Sequence, residues 1–162
     1  MEIRSYDPDT DGSDLWELKR AFERGLGANT GGEEKEAAYE GKLTDDYRVR
    51  YLDWVERCTD SDPDCVTVAS TDDGLAGYAF LLPERLSMIW DAAVLNEIYV
   101  DPDHRGTGVA DDLIEAVLST AREQDLPLDR IVLDVDPKND RAQAFYDRYG
   151  FEQWGEMVAR SL

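Results

Sequence analysis

Apolar side chains recur along the chain first at a spacing of two, then of three to four, and this alternation predicts a mixed α and β protein. Residues 2–6 read as a short strand. Asp14, with Glu17 three residues on, then opens a helix in a capping-box pattern, and Leu15, Leu18, Phe22 and Leu26 follow along one face. Four glycines within residues 25–32 are expected to end that helix and form a mobile loop, either a linker between helices or a loop over a substrate site. A second helical region covers residues 33–57, with Leu43, Tyr47, Tyr51, Trp54 and Val55 as an apolar stripe suited to core packing and Gly41 as a dividing point. Residues 65–69 and 75–82 form a hairpin about the turn Asp72-Asp73-Gly74. Residues 83–91, which include Trp90, are expected to be a loop.

The second half reads as strand (92–100), glycine-rich turn, helix (109–123), strand (130–135) and helix (140–149), closed by Gly150. Val109, Leu113, Val117 and Ala121 give the first of these helices its buried face. Residues 151–160 read as a last strand. No repeat or linker interrupts the pattern, so residues 1–162 are expected to be one domain.

Composition changes this picture mainly through charge: 37 acidic against 17 basic residues give a net charge of -20. The acidity is spread over the polar positions of ordinary amphipathic segments. That distribution fits a salt-adapted, haloarchaeal-like proteome better than an acidic mimic of nucleic acid or a receptor for a basic partner, because molar salt shortens the Debye length to ~3 Å. No basic stripe offers a footprint for nucleic acid. No apolar run approaches the ~18 residues of a membrane helix, and the first residues lack the apolar segment of a secretory signal, so a cytoplasmic location is expected. Cys58 and Cys65 could pair by count but read as packing thiols. With His104 the single histidine, no metal site is expected.

The segment that carries chemistry is Ile98-Tyr99-Val100-Asp101-Pro102-Asp103-His104-Arg105-Gly106-Thr107-Gly108-Val109-Ala110. A strand ends, Pro102 stops its ladder, and two glycines precede a helix. Glycine admits positive φ and close approach of an anion, the free N–H groups of a helix's first turn bind phosphate, and Arg105 adds a full charge. A Walker loop is excluded because no Gly-Lys-Ser/Thr follows, and the third glycine of a dinucleotide fingerprint is missing.

Arg105-Gly106-Thr107-Gly108-Val109-Ala110 resembles the (Gln/Arg)-x-x-Gly-x-(Gly/Ala) signature of the GNAT N-acetyltransferase family. Residues 139–151, from Asn139 through Ala142 and Tyr146 to Gly150-Phe151, are similar to that family's Asn-x-x-Ala-x-x-x-Tyr-x-x-x-Gly-Phe pattern. The resemblance implies the GNAT fold, a mixed and mostly antiparallel α/β (α+β) sheet with helices on both faces. It also implies acetyl-CoA as co-substrate and direct attack of a primary amine on the thioester. Under it, the backbone of Ile98 and Val100, flanking Tyr99, pairs with pantetheine. Arg105, Gly106, Thr107, Gly108, Val109 and Ala110 hold the pyrophosphate, and Asn139 contacts the cofactor arm. Tyr146 lies two helical turns beyond Asn139 and protonates the leaving thiolate. Glu97 is the first candidate for the base; the alternative for it is a solvated strand residue. Lys138 and Arg141, near the same motifs, read either as cofactor contacts or as surface charges.

The amine acceptor implied is a small molecule, a peptide N-terminus or a lysine. A non-catalytic acyl-CoA sensor keeping the same fold is the competing function. One departure from the family stands out: only 11 residues follow Phe151 where a two-stranded hairpin is usual. An open acceptor side, or one completed by a second subunit in a homodimer, is expected from this.

Overall fold

Five strands form one sheet in the order β1-β2-β3-β4-β5, antiparallel except for the last pair. The computed structural model describes residues 1–30 and 32–162 of the chain. Its elements are β1 (Glu2–Ser5), α1 (Gly12–Thr30), α2 (Glu33–Lys42), α3 (Asp45–Ser61), β2 (Val66–Thr71), β3 (Gly74–Leu81), β4 (Ala93–Val100), α4 (Val109–Glu123), β5 (Ile131–Val132) and α5 (Asp140–Arg148). The expected mixed sheet with helices on both faces is the one observed.

Strand alternation divides the core in two. Val66 and Val68 of β2 with Tyr78 and Phe80 of β3 meet Leu15, Trp16 and Leu18 of α1 and Tyr51 and Val55 of α3. On the opposite face Ala69, Ala79 and Leu81 meet Val109, Leu113, Ile114 and Val117 of α4. Cys58 and Cys65 are free thiols buried in the first of these layers.

Several boundaries differ from the sequence reading, each for a visible reason. Helix α1 starts at Gly12 rather than Asp14, because Leu15 N–H already bonds the Asp11 carbonyl at 2.9 Å. The Asp11 carboxylate is held by two bonds from Arg4, at 2.6 and 2.9 Å, and accepts the Asp7 N–H. Gly25 and Gly27 do not end α1; the helix runs on to Thr30, tied to α2 by the Arg24–Glu40 and Lys42–Glu23 ion pairs. Of the glycine-rich stretch, Gly31 lies outside the described residues, and Gly32 turns the chain into α2 with φ +79°. The division of the second helical region falls at Thr44, whose hydroxyl accepts the Tyr47 N–H, and Gly41 lies inside α2. Residues 84–89, expected as loop, wind into a short 3-10 turn.

Strand β4 carries the feature that shapes the site. Phe80 pairs with Glu97 and Leu81 with Leu95, so Asn96 is an extra residue, a β-bulge. The bulge shifts the alternation by one. Ala93 and Leu95 face α4; without it Glu97 would too, but Ile98 and Val100 take that face instead. Glu97 and Tyr99 turn toward α1 and α3. The main chain switches as well. Val94 offers its carbonyl to Leu82 of the β3 side, whereas beyond the bulge Asp101 N–H bonds Ala76 on that side. By alternation, Ile98 and Val100 point their N–H and C=O away from β3, toward β5. Pairing with β5 stops at Val94–Val132, leaving the β5-side edge of β4 without a strand partner beyond it.

The same switch accounts for two corrections. The strand expected over 130–135 is reduced to Ile131–Val132, because residues beyond Val132 lose their partner on β4. The strand expected over 151–160 does not form: no ladder is available for it, and Trp154 instead lies under the Arg130 guanidinium, 3.4 Å from its ring centroid.

Close packing of α4 on the sheet depends on Gly77, where a Cβ would meet the Tyr99 carbonyl oxygen at 2.7 Å and Leu113 Cδ1 at 3.3 Å. Gly77→Ala is expected to destabilise the protein by about 1–3 kcal/mol, measured as a Tm lower by roughly 2–12 °C. An unchanged Tm would show that β4 and α4 can move apart at no cost.

Candidate active site

Beyond Val94 the run of β4 without a partner on its β5 side leads through residues 101–108 to the N-terminus of α4. Gly106 and Gly108 both have left-handed backbone, at φ +76° and +93°, and a Cβ at either would meet no atom within 4 Å. They are needed for the turn, and they also keep the space in front of it clear. The first helical bond of α4 runs from Asp112 N–H to the Gly108 carbonyl. The N–H groups of residues 106–111 therefore have no acceptor among the described residues, and the helix dipole adds to their positive potential. Thr107 points its hydroxyl at the His104 carbonyl at 2.6 Å, tightening the loop rather than facing the opening. Val109 is buried in the α4 layer, and Ala110 packs at its margin.

Two guanidinium groups flank these N–H donors. Arg105 is anchored by its Nε to the Val100 carbonyl at 3.0 Å and stacks over the Tyr99 ring at 5.5 Å. Desolvation, and then the Arg105 charge, lower the pKa of Arg141, so the two cations lie close enough to repel. Neither has a carboxylate within ion-pair distance among the described residues. In a chain of charge -20 that is a costly arrangement without an anion to neutralise it. Asp111, in the first turn, would oppose an anion, but Arg148 and the Tyr149 hydroxyl hold its carboxylate at 3.0 and 2.5 Å.

Helix α5 forms the other wall. Asn139 caps it, its Oδ1 accepting the Ala142 N–H at 3.1 Å, which leaves the side-chain NH2 as a donor. At the far end Gly150, at φ +77°, makes a Schellman turn: Gly150 N–H bonds the Asp147 carbonyl and Phe151 N–H bonds that of Tyr146. The Phe151 and Tyr146 rings meet at 5.5 Å. The Gly-Phe pair after Tyr146 is thus the clamp that fixes the tyrosine. Burial pushes the Tyr146 hydroxyl up to about 12, so it keeps its proton, and it has no hydrogen-bond partner among the described residues. Lys138 takes part only through its main-chain N–H, bonded to Asp136. His104 lies 3.9 Å from Asp101 in the loop.

On the opposite face of β4, Glu97 is not a solvated strand residue. It is 6% exposed. Its Oε1 lies 2.5 Å from the Lys19 ammonium, and its Oε2 accepts the hydroxyls of Tyr51 at 2.8 Å and Tyr78 at 2.7 Å. Lys19 also pairs with Glu23 at 2.6 Å, and Glu23 with Lys42 at 2.8 Å. Burial alone would lower the Lys19 pKa, but the Glu97 and Glu23 charges outweigh it and hold the ammonium above the ordinary lysine value. Sequence reading missed Lys19, Glu23 and Tyr78. The available signal was that Lys19 and Glu23, four apart, sit beside the apolar stripe of α1 rather than opposite it.

With this geometry in place, comparison with known proteins is informative. The Acetyltransferase (GNAT) family profile matches residues 29–151, and the chain belongs to that family. An uncharacterized N-acetyltransferase of Mycobacterium tuberculosis is 37% identical over 102 residues, 62% of this chain and 61% of that protein. The chain thus spans about three-fifths of the length of that curated relative. A peptidyl-lysine N-acetyltransferase of Escherichia coli, YjaB, is 28% identical over 120 residues, covering 74% of this chain and 70% of the relative. Among solved structures, the PaiA N-acetyltransferase of Thermoplasma acidophilum, in complex with coenzyme A, superposes with a TM-score of 0.70 at 21% identity. That superposition covers 93% of this chain and 89% of the other.

The buried tyrosines and Lys19 make alkaline stability a measurable consequence. Desolvation pushes Tyr6 and Tyr146 up to about 12 and Tyr51 and Tyr78 well above the ordinary 10.0. A group whose pKa is raised on folding contributes stability that is complete below its unfolded value and lost as pH rises through its folded one. The denaturation midpoint should therefore hold up to about pH 10 and fall between there and about pH 12, with phenolate absorbance rising alongside unfolding. Phenolate absorbance that reaches its full value while the protein remains folded would contradict the buried placement of these hydroxyls.

Proposed function

We propose that the chain binds acetyl-coenzyme A along the β5-side edge of β4 and transfers the acetyl group to a primary amine. The observation that carries this reading is the cluster of unpaired positive groups at one end of that edge: six consecutive N–H groups and the guanidiniums of Arg105 and Arg141. A pyrophosphate satisfies both its charge and its hydrogen bonding. Beyond it, Ile98 offers its N–H and C=O and Val100 its N–H along an unpaired strand edge, as an extended amide-bearing arm requires, while the Val100 carbonyl accepts the Arg105 Nε. The Asn139 side-chain NH2 supplies a further donor from α5.

Bound acetyl-CoA would supply an activated acetyl group on a thioester. The protein's part is orientation and proton handling. Tyr146, protonated and otherwise unbonded, donates its hydroxyl proton toward the departing sulfur. Glu97 takes up the proton lost by the amine, through the tyrosine hydroxyls that already donate to it or through water. The N–H of the β4 strand end is available to the carbonyl oxygen as negative charge develops there. Because the Glu97 side chain faces the α1 and α3 side, the amine would approach from that face. The names of the relatives are consistent with an amine on a small molecule, a peptide N-terminus or a lysine as acceptor.

The test is release of coenzyme A thiol from acetyl-CoA in the presence of spermidine, a lysine-bearing peptide or a peptide with a free N-terminus. Tyr146→Phe is expected to lower kcat by ~100-fold or more with acetyl-CoA affinity within about twofold of the parent. Undiminished turnover, with chemistry shown to be rate-limiting, would reduce Tyr146 to a packing residue. No turnover of any amine by a protein that binds acetyl-CoA would favour a sensor.

We further infer that the acidic composition is an adaptation to high salt. The net charge of -20 repels an anionic cofactor at long range, and molar KCl screens that term while leaving close contacts at Arg105 and the α4 N-terminus partly intact. Acetyl-CoA affinity measured on folded protein should hold or improve as KCl rises to molar levels. A steep monotonic loss would show that local cationic contacts outweigh the global field.

A further inference from the structure

The ion pairs behind β4 form one connected cluster in which only Glu97 has an assigned task. From the surface inward it runs Lys42, Glu23, Lys19, Glu97, at 2.8, 2.6 and 2.5 Å. Lys42 is partly exposed, and the three groups behind it are buried. The groups facing Glu97 come from every packed element: Lys19 and Glu23 from α1, Lys42 from α2, Tyr51 from α3 and Tyr78 from β3, with Asn96 beside it on β4. Two ammonium groups balance two carboxylates. The Lys19 ammonium is central, touching both carboxylates and lying 4.7 Å from the Tyr51 ring centroid and 5.2 Å from that of Phe22.

We propose that Lys19 is a positioning residue for acetyl transfer, holding the Glu97 carboxylate as an oriented ion pair so that it can receive the proton of the acceptor amine. This rests on the reading of Glu97 as proton acceptor. With Lys19 absent, Glu23 and Glu97 would face one another across a buried space with only Lys42 between them and solvent, and like-charge repulsion would drive a proton onto one of the two. A Glu97 already protonated, or turned away, takes no proton from the amine. The partners of Lys19 are Glu23, Glu97, Phe22 and Tyr51, none of them in the loop at the α4 N-terminus, so cofactor binding is not involved.

The experiment is a double-mutant cycle on thiol release, with the fastest amine of the panel above. Lys19→Met is expected to lower kcat by ~100-fold while KM for acetyl-CoA stays within about twofold. The loss should shrink at alkaline pH below 10, where more of the amine arrives already neutral. In a Glu97→Gln background the same substitution should cost nothing further, because its effect passes through the carboxylate. Lys19→Met with parental kcat, or with an equal loss in both backgrounds, overturns the proposal while leaving Glu97 as base. Glu97→Gln with parental kcat at every pH overturns both. Should Lys19→Met fail to fold, Lys42→Gln, one ion pair further out, carries the test: a few-fold loss of kcat that disappears in the Glu97→Gln background supports the proposal, and one that persists there overturns it.

Discussion

The extra residue at Asn96 is the constraint from which the site follows. A strand has a period of two, so one inserted residue reverses which side chains face which layer and which main-chain groups face which neighbour. Both reversals matter here. Glu97 moves from the α4 side to the α1 and α3 side, and Ile98 and Val100 turn their amides from β3 toward β5. The parallel pairing with β5 ends at Val94–Val132, just before this change, and the edge of β4 beyond it has no strand partner. Main-chain groups offered to an extended ligand and a carboxylate on the reverse face are thus two results of one local irregularity.

Charge is distributed around that strand in two different ways. At the N-terminus of α4, positive groups are left without partners and one nearby carboxylate, Asp111, is tied back by Arg148 and Tyr149. Behind β4, Lys19, Glu23 and Glu97 are buried and ion-paired, with Lys42 joining them from a partly exposed position. The first arrangement is unfavourable until an anion arrives, which suits a binding site. The second is unlike most of the ion pairs on this protein, whose exposed members contribute at most ~1 kcal/mol. A buried pair is seldom the most stable filling for its space, so its presence points to a requirement other than stability.

What could be read from the sequence was what is encoded locally. The span of α4 and the closure of α5 at Gly150 follow from apolar spacing and from glycine at positions where φ is positive. The loop proposed to bind phosphate was legible because that role would lie in its own main chain. The role of the Gly150-Phe151 pair was not legible, since the contact between Phe151 and Tyr146 needs the turn to be seen. Glu97 is the sharper case. Its surroundings come from residues 19, 51 and 78, up to 78 positions away, and its direction depends on a bulge with no sequence signature. The missing final strand failed for a related reason: residues 151–160 have the composition of a strand, but β5 offers them no ladder.

The two sides of β4 are therefore specified by different kinds of information. The side proposed for the cofactor is built from two short segments, residues 98–110 and 139–151, in which spacing alone fixes the geometry. A family can keep such segments while everything else changes, and the resemblance recognisable in the sequence is confined to them. The side proposed for the amine is assembled from α1, α2, α3 and β3, each contributing one or two side chains to the network around Glu97. No segment there holds a motif, and a change at Lys19 can be answered only by changes on other elements. Acceptor specificity, if it resides on that side, is then set by tertiary packing, and relatives that share the cofactor loop need not share the amine.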